Sequence, residues 1–298
     1  MSLREHFALS GPRHTTKHVP SSVKTEAGQF DFARAAALLT DAAATAGAAI
    51  MAHYGKGGAV ELKADDSPVT KADRDAEAII LTALKGLAPD IPVVSEETAG
   101  DRHAMLGPRF FLVDPLDGTK EFIKQRTDFT VNIALIEQGR PRFGLVYAPA
   151  RALLAVTTAD GVAIEAEMAP DANGADLEAL DRKRLHARQG DPNGLTALVS
   201  LSHLDEETEK FLEGFNISER SGAGSSIKFL EIERGRADVY PRFGPTMEWD
   251  TAAGQAVLEA AGGHVVDPNG ARFRYGKTRE GLRNASFIAW GRTVLTPR

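Results

Sequence analysis

The sequence predicts a mixed α/β fold of layered sheets and helices arranged in two unequal halves. Apolar residues at helical spacing alternate along the chain with short apolar runs of strand length. A polar stretch rich in Asp, Gly and Arg, residues 161–195, separates a first group of these elements from a second. We therefore expect an N-terminal α+β half over residues 29–160, a polar linker over 161–195, and a C-terminal α/β half over 196–298.

The bulk composition excludes several classes of function. The chain has 298 residues, of which 43% are hydrophobic, and this is enough for a substantial core. It has no cysteine, which excludes disulfides, thiolate-bound zinc and cysteine nucleophiles and fits a reducing, cytoplasmic location. The net charge of −6 disfavours non-specific binding to nucleic acid. No apolar run approaches the roughly 20 residues that cross a bilayer.

The first half follows a polar segment, residues 1–28, which we interpret as a mobile tail. Apolar residues at helical spacing predict a helix over residues 31–54. A second helix is expected to begin at Thr70, because Thr70 and Asp73 have the spacing of a capping box. Apolar runs predict strands at residues 91–94, 110–113, 130–136, 143–147 and 153–157. Turns with Gly or Pro between the last three strands favour an antiparallel meander.

Strands and helices alternate in the second half. Strands are predicted at residues 197–201, 239–242 and 285–289. Helices are predicted at residues 206–212, 225–234 and 251–261. Gly262-Gly263 is expected to end the last helix, and the segment Asp267–Gly270 is expected to form a tight turn between two strands.

Acidic residues stand at the ends of two predicted strands and at the start of one predicted helix: Glu96, Asp114, Asp117 and Asp250. Each of them, taken singly, is explained equally well as a solvated loop residue or a helix cap. Together they would repel one another at buried strand ends unless a cation neutralised them. Oxygen ligands without nearby Cys or His favour Mg²⁺ or Mn²⁺ over zinc. The three segments therefore predict a divalent-metal site.

The sequence does not contain the motifs of three other classes of phosphate-binding or phosphate-transferring proteins. Haloacid-dehalogenase phosphatases need an Asp-x-Asp motif, and Pro115 stands two residues before Asp117. A dinucleotide fingerprint at Gly222-Ala223-Gly224 would need a third glycine where Ile227 stands. The glycine-rich segment at residues 55–58 does not have the order of a P-loop.

Three motifs, in this order along the chain, resemble the inositol monophosphatase superfamily of lithium-sensitive, metal-dependent phosphatases. They are Glu96-Glu97, Asp114-Pro115-Leu116-Asp117-Gly118-Thr119 and Trp249-Asp250-Thr251-Ala252-Ala253-Gly254. The resemblance runs from about residue 30 to the C-terminus. Within the superfamily the chain is most similar to the bacterial 3′(2′),5′-bisphosphate nucleotidases of the CysQ type, through residues 117–124, 225–229 and 240–246. Inositol monophosphatases typically carry Thr-Asn where this chain has Lys120-Glu121.

The resemblance implies a five-layered αβαβα sandwich with a metal centre between its layers. Glu96, Asp114 and the carbonyl of Leu116 would hold one Mg²⁺, for which Mn²⁺ could substitute. Asp114, Asp117 and Asp250 would hold a second ion. Two ions held in this way suit a direct attack of water on phosphate without a covalent intermediate.

The resemblance also implies the residues that act on water and phosphate. Asp73 and Thr119 would orient the attacking water, together with metal-bound Glu96. Gly118 and Thr119 would offer backbone N–H groups to the phosphate. From the residues alone, a role as a helix cap only is the alternative for Asp73, and a simple turn residue is the alternative for Thr119.

Adenosine 3′,5′-bisphosphate is the substrate that the resemblance implies, and its hydrolysis to AMP and phosphate would belong to sulfur metabolism. The residues implied on the substrate side are His203, Ser225, Lys228, Arg242 and Asp250. An inositol or sugar phosphatase on the same scaffold remains an alternative, as does a non-catalytic phosphate or metal sensor. The resemblance implies a cytoplasmic enzyme, with peripheral association with the inner membrane as a further expectation, and the oligomeric state is not indicated.

Overall fold

The structure is a computed structural model that describes residues 30–57, 60–62, 68–98, 106–200 and 205–298. Its helices in these ranges are α1 (Phe32–His53), α2 (Lys71–Leu87), α3 (Thr119–Ile123), α4 (Glu206–Glu213), α5 (Ile227–Glu233) and α6 (Glu248–Ala260). Its strands are β1 (Val60–Leu62), β2 (Pro68–Thr70), β3 (Val93–Ser95), β4 (Arg109–Asp117), β5 (Thr130–Glu137), β6 (Arg140–Ala148), β7 (Leu153–Thr157), β8 (Ala163–Glu167), β9 (Arg182–Arg184), β10 (Leu195–Ser200), β11 (Ile217–Ala223), β12 (Val239–Arg242), β13 (His264–Val266) and β14 (Phe287–Trp290).

Two sheets organise these elements. The first has seven strands in the order β3-β4-β5-β6-β7-β8-β9, and all its pairs except β3 with β4 are antiparallel. The predicted antiparallel meander is therefore confirmed. The second sheet has five strands in the order β11-β10-β12-β14-β13 and is mixed. Strands β1 and β2 form a separate antiparallel pair.

The helices complete five alternating layers, as predicted. α1 and α2 pack against one face of the seven-stranded sheet, and α6 packs against the other face and also contacts α5 and β13. Two residues of β6 contact helices on opposite faces of the sheet. Gly144 lies so near the backbone of Ala253 in α6 that a Cβ would clash, while the Tyr147 ring fills the space beside Gly47 in α1. α4 covers the outer face of the second sheet, where Leu212 joins the core of that face.

Helix α1 has the length and apolar composition of a membrane-spanning helix, since an 18-residue window reaches a mean hydropathy of 1.5. In the fold, its apolar side is part of the core. Leu39, Ala43 and Ile50 expose none of their surface, and the helix packs against α2 and β6. One or two helices of this kind are common in the cores of globular proteins, because a fully buried helix is apolar on most of its surface.

The segment predicted as a polar linker, residues 161–195, carries β8 and β9, which extend the seven-stranded sheet at one edge. Phe32–Arg298 pack as one compact unit, and the division of that unit into two halves stays a prediction. The expected tail, residues 1–28, lies outside the described residues.

The strand β4 ends in an irregular segment that carries the acidic motif. Asp114 is opposite Asn132 on β5 and Asp117 is opposite Thr130, and the register shifts between these two pairs. Pro115 has no N–H to donate to a ladder, so a bulge is the arrangement that accommodates it. The bulge turns the carboxylates of Asp114 and Asp117 out of the sheet toward the start of α6.

Candidate active site

A cavity of about 260 Å³ opens where β4, α3, α5, β12 and α6 meet. It brings together most of the residues that the sequence predicts for the site: Glu96, Asp114, Leu116, Asp117, Gly118, Thr119, Ser225, Lys228, Arg242 and Asp250. Asp73 does not line the cavity but contacts Thr119, which does. His203 lies outside the described residues.

Asp114 is buried among three half-buried carboxylates of this cavity, Glu96, Asp117 and Asp250. Asp114 is 2% exposed, and burial raises its pKa well above the usual value. Repulsion by Glu96, Asp117 and Asp250 raises that pKa further, and a hydrogen bond with Glu96 favours the protonated form. Burial likewise raises the pKa of Asp250, and Asp117 adds to this shift. The fold thus brings four acidic groups together where their ionised forms are disfavoured unless a cation compensates them.

Asp117 is oriented by donors from two other segments. Its Oδ2 accepts hydrogen bonds from the Ser225 hydroxyl at 2.5 Å and from the Ser226 N–H at 2.8 Å. The Asn132 Nδ2 adds a longer contact at 3.3 Å, and the Thr130 hydroxyl lies 2.7 Å from that of Ser225. Because these donors share Oδ2, the other carboxylate oxygen is the one available to the cavity.

Ser226 connects the sites of Asp117 and Asp250. Its hydroxyl donates to the backbone carbonyl of Asp250 at 2.9 Å and accepts a hydrogen bond from Asn132 at 3.0 Å. Asp250 in turn caps α6, because its Oδ2 accepts the N–H of Met247 at 2.8 Å. Sequence reasoning did not predict Ser226, Asn132 or Thr130 as site residues. None of them carries a charge, and only Ser226 lies in a segment used for the resemblance, residues 225–229.

Asp73 and Thr119 meet as the resemblance implies. The Thr119 hydroxyl lies 3.1 Å from Asp73 Oδ1 and 3.1 Å from the carbonyl oxygen of Leu116. Asp73 Oδ2 accepts the N–H and the hydroxyl of Thr70 at 2.8 and 2.6 Å, so the predicted capping box is confirmed. Asp73 therefore uses one oxygen as a helix cap and presents the other to Thr119. Burial raises the pKa of Asp73, against the effect of the hydrogen bonds from Thr70 and Thr119.

Two buried cations, Lys228 and Arg242, line the same cavity. Lys228 is 3% exposed, and its Nζ donates to the carbonyl oxygens of Ser225 and Ala223 at 2.8 and 3.1 Å. Burial lowers the pKa of Lys228 to about 8, although the charge of Asp117 opposes the shift. The Arg242 side chain is also buried and donates from Nη2 to the Pro245 carbonyl at 3.1 Å.

The donor set fits a hard divalent cation in its chemistry. Of the described residues, five acidic ones line the cavity, and four of these (Glu96, Asp114, Asp117 and Asp250) are the predicted ligands, together with the carbonyl of Leu116. Such oxygen ligands suit Mg²⁺ or Mn²⁺. Within the described ranges, however, no three His, Cys, Asp or Glu side chains already stand in the arrangement of a metal site. The hydrogen bonds explain this difference, because Asp117 and Asp250 each turn one oxygen to protein donors. Small rotations of these two side chains would bring their remaining oxygens toward a shared cation.

A model of the inositol monophosphatase family matches residues 32–292. The chain belongs to the inositol monophosphatase family. The 3′(2′),5′-bisphosphate nucleotidase CysQ of Salmonella typhimurium is 44% identical over 248 residues, which cover 82% of this chain and 95% of that protein. The structure of CysQ from Bacteroides thetaiotaomicron is similar with a TM-score of 0.73 and 36% identity, covering 88% of this chain and 97% of that one.

Other members of the inositol monophosphatase family share the fold at lower identity. The inositol monophosphatase of Thermotoga maritima has a TM-score of 0.67 and 22% identity, covering 85% of this chain and 91% of its own. The predicted superfamily and five-layered fold are thus confirmed, and so is the prediction of a phosphatase. Metal dependence is a property of this family. The roles of individual site residues stay predictions.

Proposed function

We propose that this chain is a Mg²⁺-dependent 3′(2′),5′-bisphosphate nucleotidase that converts adenosine 3′,5′-bisphosphate and water to AMP and phosphate. One observation carries the proposal: a single cavity is lined both by several acidic side chains and by two buried cations, Lys228 and Arg242. A substrate with two phosphates needs both kinds of group. The similarity to CysQ proteins over most of the chain supports this substrate.

The acidic side chains of the cavity would hold the metal ions. Glu96, Asp114 and the Leu116 carbonyl would bind one ion, and Asp114, Asp117 and Asp250 a second. When bound, such ions polarise water and neutralise charge on the phosphate oxygens. Asp114 would serve both ions, which accords with its position among Glu96, Asp117 and Asp250. Mn²⁺ is the expected substitute, because it accepts the same oxygen ligands.

The Asp73–Thr119 pair would orient the attacking water. With its proton donated to Asp73 Oδ1, the Thr119 oxygen presents lone pairs to the cavity and can accept a hydrogen bond from water. Asp73 is fixed by both donors of Thr70, so its second oxygen cannot turn away without losing the helix cap. The pair can thereby take the proton that the water loses as it attacks phosphorus. Backbone N–H groups of Gly118 and Thr119 would bind the phosphate that is transferred.

The remaining phosphate would be bound by Arg242 and Lys228. An arginine offers a planar fork of donors, so Arg242 is the stronger candidate. A protonated lysine has three N–H groups, and the carbonyls of Ser225 and Ala223 use two of those on Lys228. The third would reach the phosphate. Ser225 and Asp250 would contact the same substrate, and His203 remains a prediction.

The experiment measures phosphate release from adenosine 3′,5′-bisphosphate and from inositol 1-phosphate, with Mg²⁺ and with EDTA. For the bisphosphate we expect Mg²⁺-dependent turnover, and Arg242→Ala should raise KM by about ten- to a hundredfold with little change in kcat. The monophosphate should be much less affected. Arg220→Ala is the matched control, since Arg220 pairs with Glu209 on the surface and lies outside the cavity.

Other results would change the assignment. Equal effects of Arg242→Ala on both substrates would favour an inositol or sugar phosphatase. Binding of either substrate without any turnover would favour a sensor. We place the reaction in the cytoplasm as part of the same proposal, in accord with a chain that has no cysteine.

A further inference from the structure

Asp128 is a buried acid beside the cavity that touches two of the turns forming the cavity wall. Its backbone oxygen lies against Gly118, where an added Cβ would come within 2.7 Å of it. Its side-chain Oδ2 accepts the N–H of Gly224 at 3.1 Å. Gly118 follows a strand of the seven-stranded sheet, and Gly224 follows a strand of the five-stranded sheet. Asp128 therefore connects the two sheets at the edge of the site.

The turn that Asp128 holds has an unusual conformation. Ser225 has a φ of +51°, in the left-handed region that a residue with a side chain rarely adopts. Such a conformation persists only when its surroundings determine it. Gly224 is tightly enclosed, since an added Cβ would lie 3.0 Å from the Cβ of Asp128 and 2.9 Å from the Cγ of Glu121. This turn delivers the Ser225 hydroxyl and the Ser226 N–H to Asp117 Oδ2.

Arg151 holds the carboxylate of Asp128 from outside the cavity. It follows β6 and pairs through Nη2 with Asp128 Oδ1, so Asp128 Oδ2 is the oxygen that faces Gly224. The Asp128 side chain is 12% exposed, and a carboxylate so buried is costly without a countercharge. Without the guanidinium, the Asp128 carboxylate could rotate toward solvent. The Gly224 N–H would then lose its hydrogen bond to Oδ2.

We propose that Arg151 and Asp128 are positioning residues for Asp117, acting through the turn at residues 224–226. Arg151 orients Asp128, Asp128 fixes Gly224, and the turn orients the carboxylate of Asp117. The inference rests on the proposed function, in which Asp117 is a metal ligand. Residues that orient a ligand in this way typically change metal affinity or activity by about ten- to a hundredfold when removed.

The chain offers a matched control for this inference. Arg188 makes a second arginine–aspartate pair, with Asp238, through Nε and Nη2 at 2.7 and 2.6 Å. The exposed fractions of the two arginine side chains are similar, 40% for Arg188 and 33% for Arg151. Neither Arg188 nor Asp238 lines the cavity. Loss of either arginine should therefore destabilise the fold, but only the loss of Arg151 should reach the metal centre.

The experiment compares wild type, Arg151→Ala, Arg151→Lys and Arg188→Ala. Mn²⁺ binding is measured by titration calorimetry without substrate, the Mg²⁺ concentration for half-maximal turnover by assay, and Tm by thermal unfolding. We expect Arg151→Ala to weaken Mn²⁺ binding and to raise the half-maximal Mg²⁺ concentration by about tenfold. Arg151→Lys should recover most of this loss, because it restores the charge. Arg188→Ala should lower Tm and leave both metal measurements at the wild-type values.

A fall in Tm for Arg151→Ala with unchanged Mn²⁺ binding would show that the pair is structural only and would overturn the inference. If Arg151→Ala does not fold, Arg151→Lys decides the matter, because a compact ammonium replaces the planar guanidinium and fits Asp128 less well. This variant should then weaken Mn²⁺ binding slightly, and wild-type Mn²⁺ binding in it would overturn the inference. Failure of the wild type to bind Mn²⁺ or to turn over would instead contradict the proposed function, whatever the variants do.

Discussion

Asp114 and Asp238 are two aspartates with almost the same burial and opposite surroundings. Asp114 is 2% exposed and Asp238 is 3% exposed. Asp238 has the two-pronged pair with Arg188 and also accepts the N–H of Thr196 at 2.7 Å. The charged groups that act most strongly on Asp114 are three further carboxylates, at Glu96, Asp117 and Asp250.

The difference separates structural carboxylates from functional ones. Asp238 has an arginine partner and does not line the cavity, so its charge is compensated within the fold and its removal should cause a loss of stability alone. A buried carboxylate among other carboxylates stores repulsion, which a bound cation would relieve. Burial itself therefore does not distinguish a binding site from the core, and the sign of the neighbouring charges does.

The largest expected effect is on catalysis at Asp114. Asp114→Asn should lower kcat by roughly a thousandfold at saturating Mg²⁺, because a metal ion contributes several kcal/mol of transition-state stabilisation. In EDTA the same variant should be at least as stable as wild type, since one of the mutually repelling charges is gone. Turnover assays and thermal unfolding in EDTA measure the two effects. A clear loss of stability in EDTA would show that Asp114 stabilises the fold as Asp238 does, and would contradict the distinction between the two.

An intermediate effect is expected at Asp238. Asp238→Asn should destabilise the protein by about 2–4 kcal/mol, somewhat less than a fully buried pair because Arg188 is partly exposed. Urea unfolding measures this change. Turnover per folded molecule should stay at the wild-type value, with Glu178→Gln, from an exposed pair with Arg182, as the control for a mild substitution. A fall in turnover without a fall in stability would contradict the structural role.

The smallest effect is expected at Glu233, a third buried acid. Its pKa is shifted by burial rather than by an arginine or a carboxylate among the described residues. It exposes no surface, and neither carboxyl oxygen has a hydrogen-bond partner in the described structure. Burial raises the pKa of Glu233 well above its usual value. The folded protein therefore binds this proton more tightly than the unfolded chain does. The resulting stabilisation is complete below the unfolded pKa and is lost as pH rises through the folded pKa.

Glu233→Met should remove that pH dependence and stabilise the protein by roughly 1 kcal/mol at neutral pH, because it replaces two unsatisfied acceptors with an apolar side chain of similar length. Urea unfolding of both proteins from pH 4 upward gives the measurement. Parallel stability curves for the variant and wild type would show that Glu233 is not a neutral buried acid.

The secondary structure that the sequence missed lies mostly at sheet edges. β11 reads Ile-Ser-Glu-Arg-Ser-Gly-Ala and pairs with one strand only, and β9 is the exposed segment Arg182–Arg184. Edge strands with polar and charged side chains carry no apolar pattern, although the same charges protect the edge from further pairing. Helix α5 begins at Ile227 rather than at residue 225, because Ser225 takes the left-handed conformation.

Residue types and their spacing were sufficient to predict the family, the layered fold and the acidic motifs. They also predicted the capping box, in which Asp73 accepts hydrogen bonds from Thr70. These features are local, so residue type and spacing carry them. The orientation of each carboxylate, in contrast, depends on contacts between distant parts of the chain. Ser226 reaches Asp117 across 109 residues of chain, and Gly224 reaches Asp128 across 96. Uncharged hydroxyls and backbone N–H groups that meet at such separations leave no pattern in the sequence, because their roles arise only when two sheets pack together.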